Sequence, residues 1–293
     1  MADPKFIEQL KSIVLQRISD DDLILPPLPS VVTAARRVIQ SGGFDPDAAA
    51  HALEADPLVA ARLLRLAGSS AYAGNGPVIH LPGAVRRIGQ RTLAAFVDEV
   101  AAETVFVSHD GGINEAAQGY WEHLVATGMV ARDLVIRLTR SGQEKVAEAA
   151  YLAGLIHDIG KPVLASMLLD VERRVRKDNP SQGWLRTADF VELVSSAHRT
   201  VGLLVAAKWE FPSIVRRAIS DNQTFETEEP FSVPNVVRLA NALCKSQGLA
   251  GGAVDMAREE QIIVAGANLL NVQPEILDEV CDDLRGRVAA RLG

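Results

Sequence analysis

One apolar stretch constrains the fold of this chain more than any other segment. The residues from Ala149 to Ile156 are apolar almost without interruption, which predicts a helix that is buried on all sides. His157 and Asp158 follow directly, and Gly160 then marks the end of this helix. A His-Asp pair at the end of a buried helix is unfavourable unless a metal ion or a hydrogen-bond network satisfies it. The fold must therefore supply partners for this pair.

Repeated capping signals predict an all-α fold. Asp45-Pro46 and Asp56-Pro57 each place an N-cap acid before a proline at the first helical position. Aromatic residues make up only 5% of the chain, and its abundant Ala, Leu and Val favour helices over sheets. The polar segment 109–112 interrupts the helical pattern. We therefore expect two packed helical lobes, formed by residues 1–112 and 113–293.

Composition and charge exclude several classes of protein. The net charge of −7 and the pI of about 5.4 argue against a nucleic-acid binder, which would need a basic surface. Cys244 and Cys281 have no CxxC partner and are expected to be free thiols in a reducing compartment. The N-terminus lacks the apolar core of a signal peptide, and no run reaches the roughly 18 apolar residues of a membrane span. We expect a cytoplasmic protein without nucleic-acid or membrane partners.

The His-Asp pair has candidate partners on other predicted helices. His123 lies upstream, and His198 and Asn241 lie downstream. Imidazole and carboxylate ligands can hold a divalent metal, which lowers the pKa of a bound water molecule so that it attacks phosphorus. This layout, and the segment GLIHDIGK, resemble the HD-domain metal-dependent phosphohydrolases.

Further motifs make the resemblance more specific. From about residue 20 to 245 the chain resembles the HDOD family, the HD-related output domain of bacterial signalling proteins. The resemblance implies an all-α fold whose C-terminal lobe is an HD-domain-like helical bundle. It also implies a regulatory module for chemosensory, two-component or cyclic-di-GMP pathways, with a homodimer allowed. The motifs, in chain order, are LPPLPSVV, EADPLVAARLLRLAGSSAY, VIHLPGAVRRIGQRTL, WEHLVATGMVARDL, YLAGLIHDIGKPVL and AHRTVGLLVAAKWEFPSIVRRAI.

The resemblance assigns the candidate site residue by residue. His123 matches the first HD histidine, and His157 and Asp158 match the HD pair. Asn241 stands where the final HD aspartate is expected, and the loss of that charge weakens a site for a hard metal. Asp221-Asn222 likewise stands where the related HD-GYP phosphodiesterases carry two histidines. The metal site implied by the resemblance is therefore incomplete.

Three functions follow from this pattern. The first is a regulatory module that acts through protein–protein interaction, with no catalysis and no cofactor. In it, hydrogen bonds satisfy the His-Asp pair, Lys161 faces solvent and His198 is a packing residue. The second is a phosphohydrolase acting on a nucleotide or cyclic dinucleotide, with Fe, Mn, Zn or Mg at partial occupancy on His123, His157 and Asp158, and Lys161 assisting. The third is a sensor that binds a cyclic dinucleotide without cleaving it. The helices after about residue 245, including one predicted over 274–291, form a C-terminal extension that either caps the bundle or mediates association.

Overall fold

The fold is entirely helical in the part of the chain that the structure describes. The computed structural model describes residues 4–20, 27–72, 74, 76–103, 107–139, 142–178, 184–220 and 224–292. These residues contain no strand, which confirms the predicted all-α class. A short 3-10 turn spans Ser70–Tyr72. The α-helices are α1 Pro4–Ser19, α2 Pro29–Gln40, α3 Pro46–Leu53, α4 Pro57–Gly68, α5 Leu81–Ala101, α6 Gly111–Leu138, α7 Glu144–Ile156, α8 Gly160–Asp178, α9 Thr187–Lys208, α10 Ser213–Ser220, α11 Val233–Ser246, α12 Met256–Leu270, α13 Pro274–Cys281 and α14 Leu284–Leu292.

The first lobe contains α2 to α5, and its helix starts follow the predicted capping pattern. Asp45 accepts a hydrogen bond from the backbone of Asp47 at the start of α3. Asp56 is buried and caps α4 by accepting from the backbone nitrogens of Leu58 and Val59. Helix α5 packs on α2, α3 and α4. It is kinked at Gly89, whose φ of 76° is not helical.

The second lobe is built around α6 and α7. Both helices contact α11, and α8 packs on α9. Helix α6 begins at Gly111, where Asp110 accepts a hydrogen bond from the backbone of Gly112. Residues 149–156 are buried without exception, which confirms the prediction that this apolar helix lies inside the protein. The His-Asp pair that follows α7 is thereby carried into the middle of the lobe.

Glycines allow two pairs of helices in this lobe to pack closely. Helices α6 and α7 meet at Gly128 and Gly154, where a Cβ atom on Gly154 would lie 2.9 Å from the Cα atom of Gly128. The start of α8 meets α9 at Gly160, where a Cβ atom would lie 2.8 Å from the backbone nitrogen of Gly202. Real Cβ atoms do not approach other atoms so closely, so neither crossing accepts a side chain. Each crossing lies within a few residues of a candidate site residue.

The C-terminal part of the chain packs back onto both lobes. Helix α12 lies on α11, while α13 and α14 lie on α6. The prediction of one helix over 274–291 is wrong, because Asp283 has a φ of 41° and separates α13 from α14. Near the end of α14, Arg291 forms an ion pair of 2.8 Å with Glu54 of the first lobe. At the other end of the chain, α1 packs on α8 and α9. The division of the chain at residue 112 stays a prediction.

Two helical stretches are long and apolar enough to cross a membrane by composition alone. They are Glu144–Lys177, which includes α7, and Thr187–Lys208, which is α9. In the first stretch, 94% of the most apolar part is buried inside the protein. In the second stretch, the buried share of the most apolar part is 44%. The first stretch therefore belongs to the core of the second lobe. Core helices of soluble proteins have the same apolar composition.

The glycine crossing of α6 and α7 gives a direct test of the packing. We expect Gly154→Ala to lower the free energy of unfolding by about 1–3 kcal/mol, since the new methyl group has no space. Gly111→Ala is the matched control, because nothing lies within 4 Å of its Cβ position and alanine is the better helix former. Urea unfolding followed by circular dichroism measures both. Equal stability of the two variants would contradict the close packing.

Candidate functional site

Four helices and one turn bring the predicted site residues together. His123 lies in the middle of α6, His157 and Asp158 lie in the turn after α7, and Lys161 lies in the first turn of α8. Potential ligand atoms of His123, His157 and Asp158 all lie within 4.8 Å of one another. His198 joins them from α9, with its Nε2 atom 3.5 Å from Asp158 Oδ1. We call these five residues the His-Asp cluster.

All three imidazole rings place Nδ1 beside a backbone carbonyl oxygen. The Nδ1 atom of His123 lies 2.7 Å from the carbonyl oxygen of Leu249, and that of His157 lies 2.7 Å from the carbonyl oxygen of Gly154. His198 Nδ1 likewise lies 2.8 Å from the carbonyl oxygen of Ser195. Because a carbonyl oxygen only accepts hydrogen bonds, these contacts assign the proton to Nδ1 and leave a lone pair on Nε2. Metal-binding histidines commonly donate the other ring N–H to an acceptor in this way.

Asp158 is the centre of the cluster. Its Oδ2 atom lies 3.6 Å from Nε2 of His157 and 4.0 Å from Nε2 of His123. The same oxygen accepts a 2.7 Å ion-paired hydrogen bond from Lys161 Nζ. Lys161 is only 8% exposed, so the prediction that it faces solvent is wrong. Its ammonium group turns inwards because the neighbouring carboxylate is the strongest acceptor within its reach.

The charges within the cluster follow from burial and from Lys161. Burial lowers the pKa values of His123, His157 and His198, so their imidazoles are neutral at neutral pH. Burial alone would raise the pKa of Asp158, but the ammonium group of Lys161 holds it well below its usual value. Inside the cluster, one carboxylate is thus balanced by one ammonium. The two Nε2 atoms of His123 and His157 are buried and lack hydrogen-bond partners among the described residues.

Asn241 lies beside the cluster, in the wall of a pocket of about 340 Å³. It is carried by α11, and Asp158, Lys161 and His198 form part of the same wall. The Asn241 Oδ1 atom is buried and has no hydrogen-bond partner in the described part of the chain. The structure therefore brings the residue at the final HD position to the cluster, as the resemblance implies. The pair Asp221-Asn222 lies outside the described residues.

Sequence reasoning missed the basic residues of this pocket. Arg238 and Lys245 lie on α11, three residues before and four residues after Asn241, and both line the pocket. Arg199 of α9 and Arg258 of α12 line it as well. The spacing of three and four residues places Arg238, Asn241 and Lys245 on one helix face, and this pattern is visible in the sequence. The position of Arg258 beside the pocket is not visible in the sequence, because it depends on how α12 packs on α11.

A comparison with protein families agrees with this architecture. The HDOD domain model matches residues 25–225, more than half of the chain. This chain belongs to the HDOD family. The matched region contains His123, His157, Asp158 and Lys161 and ends before α11. The match ends at residue 225, whereas the resemblance read from the sequence extends to about residue 245. Asn241 therefore lies outside the matched region.

One relative is similar in sequence, and solved structures share this fold at low sequence identity. An uncharacterized protein of Treponema pallidum (strain Nichols) is 24% identical over 215 residues, and the match covers 72% of this chain but 39% of that protein. The MmoQ response regulator of Methylococcus capsulatus str. Bath is 19% identical, with a TM-score of 0.62 over 88% of this chain and 97% of that one. A protein of Shewanella amazonensis SB2B, provisionally named a metal-dependent phosphohydrolase, is 22% identical, with a TM-score of 0.51 over 98% of this chain and 99% of that one. At these identities the solved structures establish a shared fold.

The ion pair inside the cluster can be tested by a double-mutant cycle. Asp158→Ala leaves the ammonium of Lys161 buried without its carboxylate, and we expect a loss of about 3 kcal/mol in the free energy of unfolding. Adding Lys161→Met should restore at least about 1 kcal/mol, since the unpaired charge is then removed. Denaturant unfolding of wild type, Asp158→Ala, Lys161→Met and the double variant gives the coupling energy between the two side chains. A double variant less stable than Asp158→Ala would show that the pair is not the source of the loss.

The lowered histidine pKa values predict a stability that depends on pH. In the unfolded chain an imidazole has a pKa of about 6.5, so below this pH the unfolded state binds more protons than the folded state. The contribution of His157 to the free energy of unfolding therefore falls as the pH falls from 7 to 5, by up to about 1.4 kcal/mol per pH unit. The stability of His157→Gln, measured by urea unfolding in EDTA, should therefore fall less than that of wild type between pH 7 and pH 5. Parallel curves for the two proteins would contradict this.

Proposed function

We propose that this HDOD protein is a regulatory signal-transduction module that acts through contacts with other signalling proteins and does not hydrolyse phosphoesters. The observation that carries the proposal is the 2.7 Å pair between Lys161 and Asp158. It compensates the charge of the Asp158 carboxylate within the protein. The cluster then holds α6, α7, α8 and α9 in fixed relative positions. These helices form a scaffold for the surfaces that bind partners.

The ligand chemistry of the cluster supports this conclusion. Hydrolysis of a phosphoester on an HD-type site requires a divalent metal, and hard divalent metals prefer anionic oxygen ligands. Of the four residues that correspond to the HD motif, Asp158 alone carries a carboxylate, and Lys161 already neutralises it. Asn241 offers a neutral amide at the fourth position. The donor set is therefore short of one negative charge for hydrolysis.

The cellular context belongs to the same proposal. HDOD membership and the fold shared with a response regulator support a place in bacterial signalling. We infer partners in chemosensory, two-component or cyclic-di-GMP pathways, and a cytoplasmic location in which they are accessible. The two lobes, taken with the boundary at residue 112, would then present separate surfaces to such partners.

A metal-dependent phosphohydrolase is the second candidate, and one observation favours it. The Nε2 atoms of His123 and His157 are buried, deprotonated and without hydrogen-bond partners among the described residues, so they fit a divalent ion of the Fe, Mn or Zn type. These two histidines and Asp158 would hold the ion, and Lys161 would contact the phosphate. The bound ion would supply an activated water molecule. Three protein ligands suffice for such sites chemically.

Metal content and activity separate the two candidates. For the regulatory module we expect purified protein to contain well below one metal ion per chain by elemental analysis. After treatment with EDTA and addition of Mn²⁺ or Fe²⁺, it should release no product from a panel of nucleotides and cyclic dinucleotides. In this reading Asp158→Ala lowers only stability, because the cluster is structural.

The opposite results would overturn the proposal. One tightly held Fe, Mn or Zn per chain, lost in a His157→Ala variant that remains folded, would establish a metal site. Product release that disappears in both His157→Ala and Asp158→Ala would establish the phosphohydrolase. Arg216 is exposed on α10, so Arg216→Gln is the control variant and should change neither metal content nor product release.

A further inference from the structure

We propose that the cavity between α2, α3 and α14 binds a small carboxylic acid with an aliphatic chain. This goes beyond the regulatory role proposed above, because it gives the module a ligand of its own. It requires neither catalysis nor a metal ion. The cavity has a volume of about 480 Å³, which lies within the range of small-molecule sites. None of the described residues that line it belongs to the His-Asp cluster.

The lining of the cavity is mostly aliphatic. Eight of the twelve described residues that line it carry aliphatic side chains, and none of the twelve is Phe, Tyr or Trp. An alkyl chain that enters this space leaves water, which increases affinity about four-fold for each buried methylene group. A flat aromatic ligand finds no stacking partner here. Five of the aliphatic residues are alanines, whose short side chains leave space between the helices: Ala34, Ala48, Ala52, Ala55 and Ala290.

The polar part of the lining contains no acid among the described residues. It consists of Ser30, Arg37, His51 and Arg291. Arg37 is exposed on α2 and forms no ion pair or hydrogen bond with any residue that the structure describes. A guanidinium group donates two parallel hydrogen bonds to one carboxylate, and such charge-assisted bonds are stronger than neutral ones. Arg37 is therefore the side chain that binds the carboxylate of the ligand.

Arg291 does not add a second uncompensated charge. Its Nη2 atom lies 2.8 Å from Oε2 of Glu54, a buried residue that does not line the cavity. Burial raises the pKa of Glu54 to about 7, so its carboxyl group is mostly ionised at pH 8. At that pH the charge of Arg291 is balanced from inside the protein, and its guanidinium group serves to fix α14 against α3.

His51 is neutral beside the same arginine. The Nη1 atom of Arg291 lies 2.7 Å from Nδ1 of His51, and because a guanidinium group only donates, the ring nitrogen accepts. Partial burial and the charge of Arg291 lower the pKa of His51 to about 4. At pH 8 the lining thus carries one uncompensated positive charge, that of Arg37. A carboxylate matches this charge, whereas a phosphate monoester brings about two negative charges.

The cavity depends on the position of α14. Besides the pair of Arg291 with Glu54, the hydroxyl group of Ser30 donates a 2.8 Å hydrogen bond to the carbonyl oxygen of Leu292. Helix α14 also packs on α6 of the second lobe. A ligand in the cavity therefore contacts both the first lobe and a helix that is packed on the second. Its binding favours this arrangement of the two lobes, which is how a small molecule can act on a regulatory module.

Isothermal titration of the full chain at pH 8 tests the proposal. The probes are octanoate, hexanoate, octanol and octyl phosphate. We expect saturable binding of octanoate. Hexanoate should bind about ten-fold more weakly, because it buries two methylene groups fewer. Octanol should also bind about ten-fold more weakly than octanoate, because it has the same chain without the charge. Octyl phosphate should bind no more tightly than octanoate.

Three variants locate the binding site. Arg37→Gln should weaken octanoate binding about ten-fold and leave octanol binding unchanged. The matched control is Arg36→Gln, which removes the same charge one residue earlier. Arg36 is paired with Asp98 outside the cavity, so its variant should leave both affinities unchanged. Ala34→Leu places a larger side chain into the cavity with little change in helix propensity, and should abolish binding of both probes. Circular dichroism verifies that each variant is folded.

Several results would overturn the proposal. One is the absence of saturable octanoate binding to the wild-type protein. Another is equal weakening by Arg36→Gln and Arg37→Gln, since attraction would then come from the overall charge of this surface. Tighter binding of octyl phosphate than of octanoate would contradict the carboxylate class. Unchanged octanoate binding in a folded Ala34→Leu variant would place the ligand elsewhere. If this variant does not fold, the comparison of the two arginine variants decides.

Discussion

The close approach of helices at glycines is the constraint on which the second lobe depends. The contact of Gly128 with Gly154 lets α6 and α7 meet backbone to backbone, and the contact of Gly160 with α9 does the same for α8. A side chain at these points would meet the backbone of the neighbouring helix, so the helices could not pack this closely. The apolar helix α7 is therefore buried, and His157 and Asp158 at its C-terminal end lie next to residues of α6, α8 and α9.

The interior position of the His-Asp cluster explains its internal pairing. A carboxylate inside a helical bundle is stable only when its charge is compensated and its oxygens accept hydrogen bonds. Lys161 supplies the charge, while backbone carbonyl oxygens orient His123, His157 and His198 so that their Nε2 atoms face Asp158. The same geometry serves a scaffold and a metal site, and the absence of a carboxylate at position 241 favours the scaffold.

Helix starts and buried segments that depend on neighbouring residues are present where the sequence predicts them. The capping pairs at Asp45 and Asp56 and the apolar run before His157 act through local geometry, and their predicted helices are present. Lys161 misled the sequence analysis, because a lysine near a helix start is usually solvated and nothing local signals an inward turn. The division between α13 and α14 was missed as well, since the helical periodicity of that segment continues through Asp283.

The sequence by itself determined the all-α class, the HDOD family and the set of residues that could bind a metal, because caps, periodicity and motif spacing are written in neighbouring residues. Only the tertiary structure decided that Lys161 neutralises Asp158 and that Arg199, Arg238 and Arg258 surround one pocket. These arginines come from three helices that are distant along the chain. Their proximity results from the packing of α9, α11 and α12, which depends on contacts that no local pattern encodes.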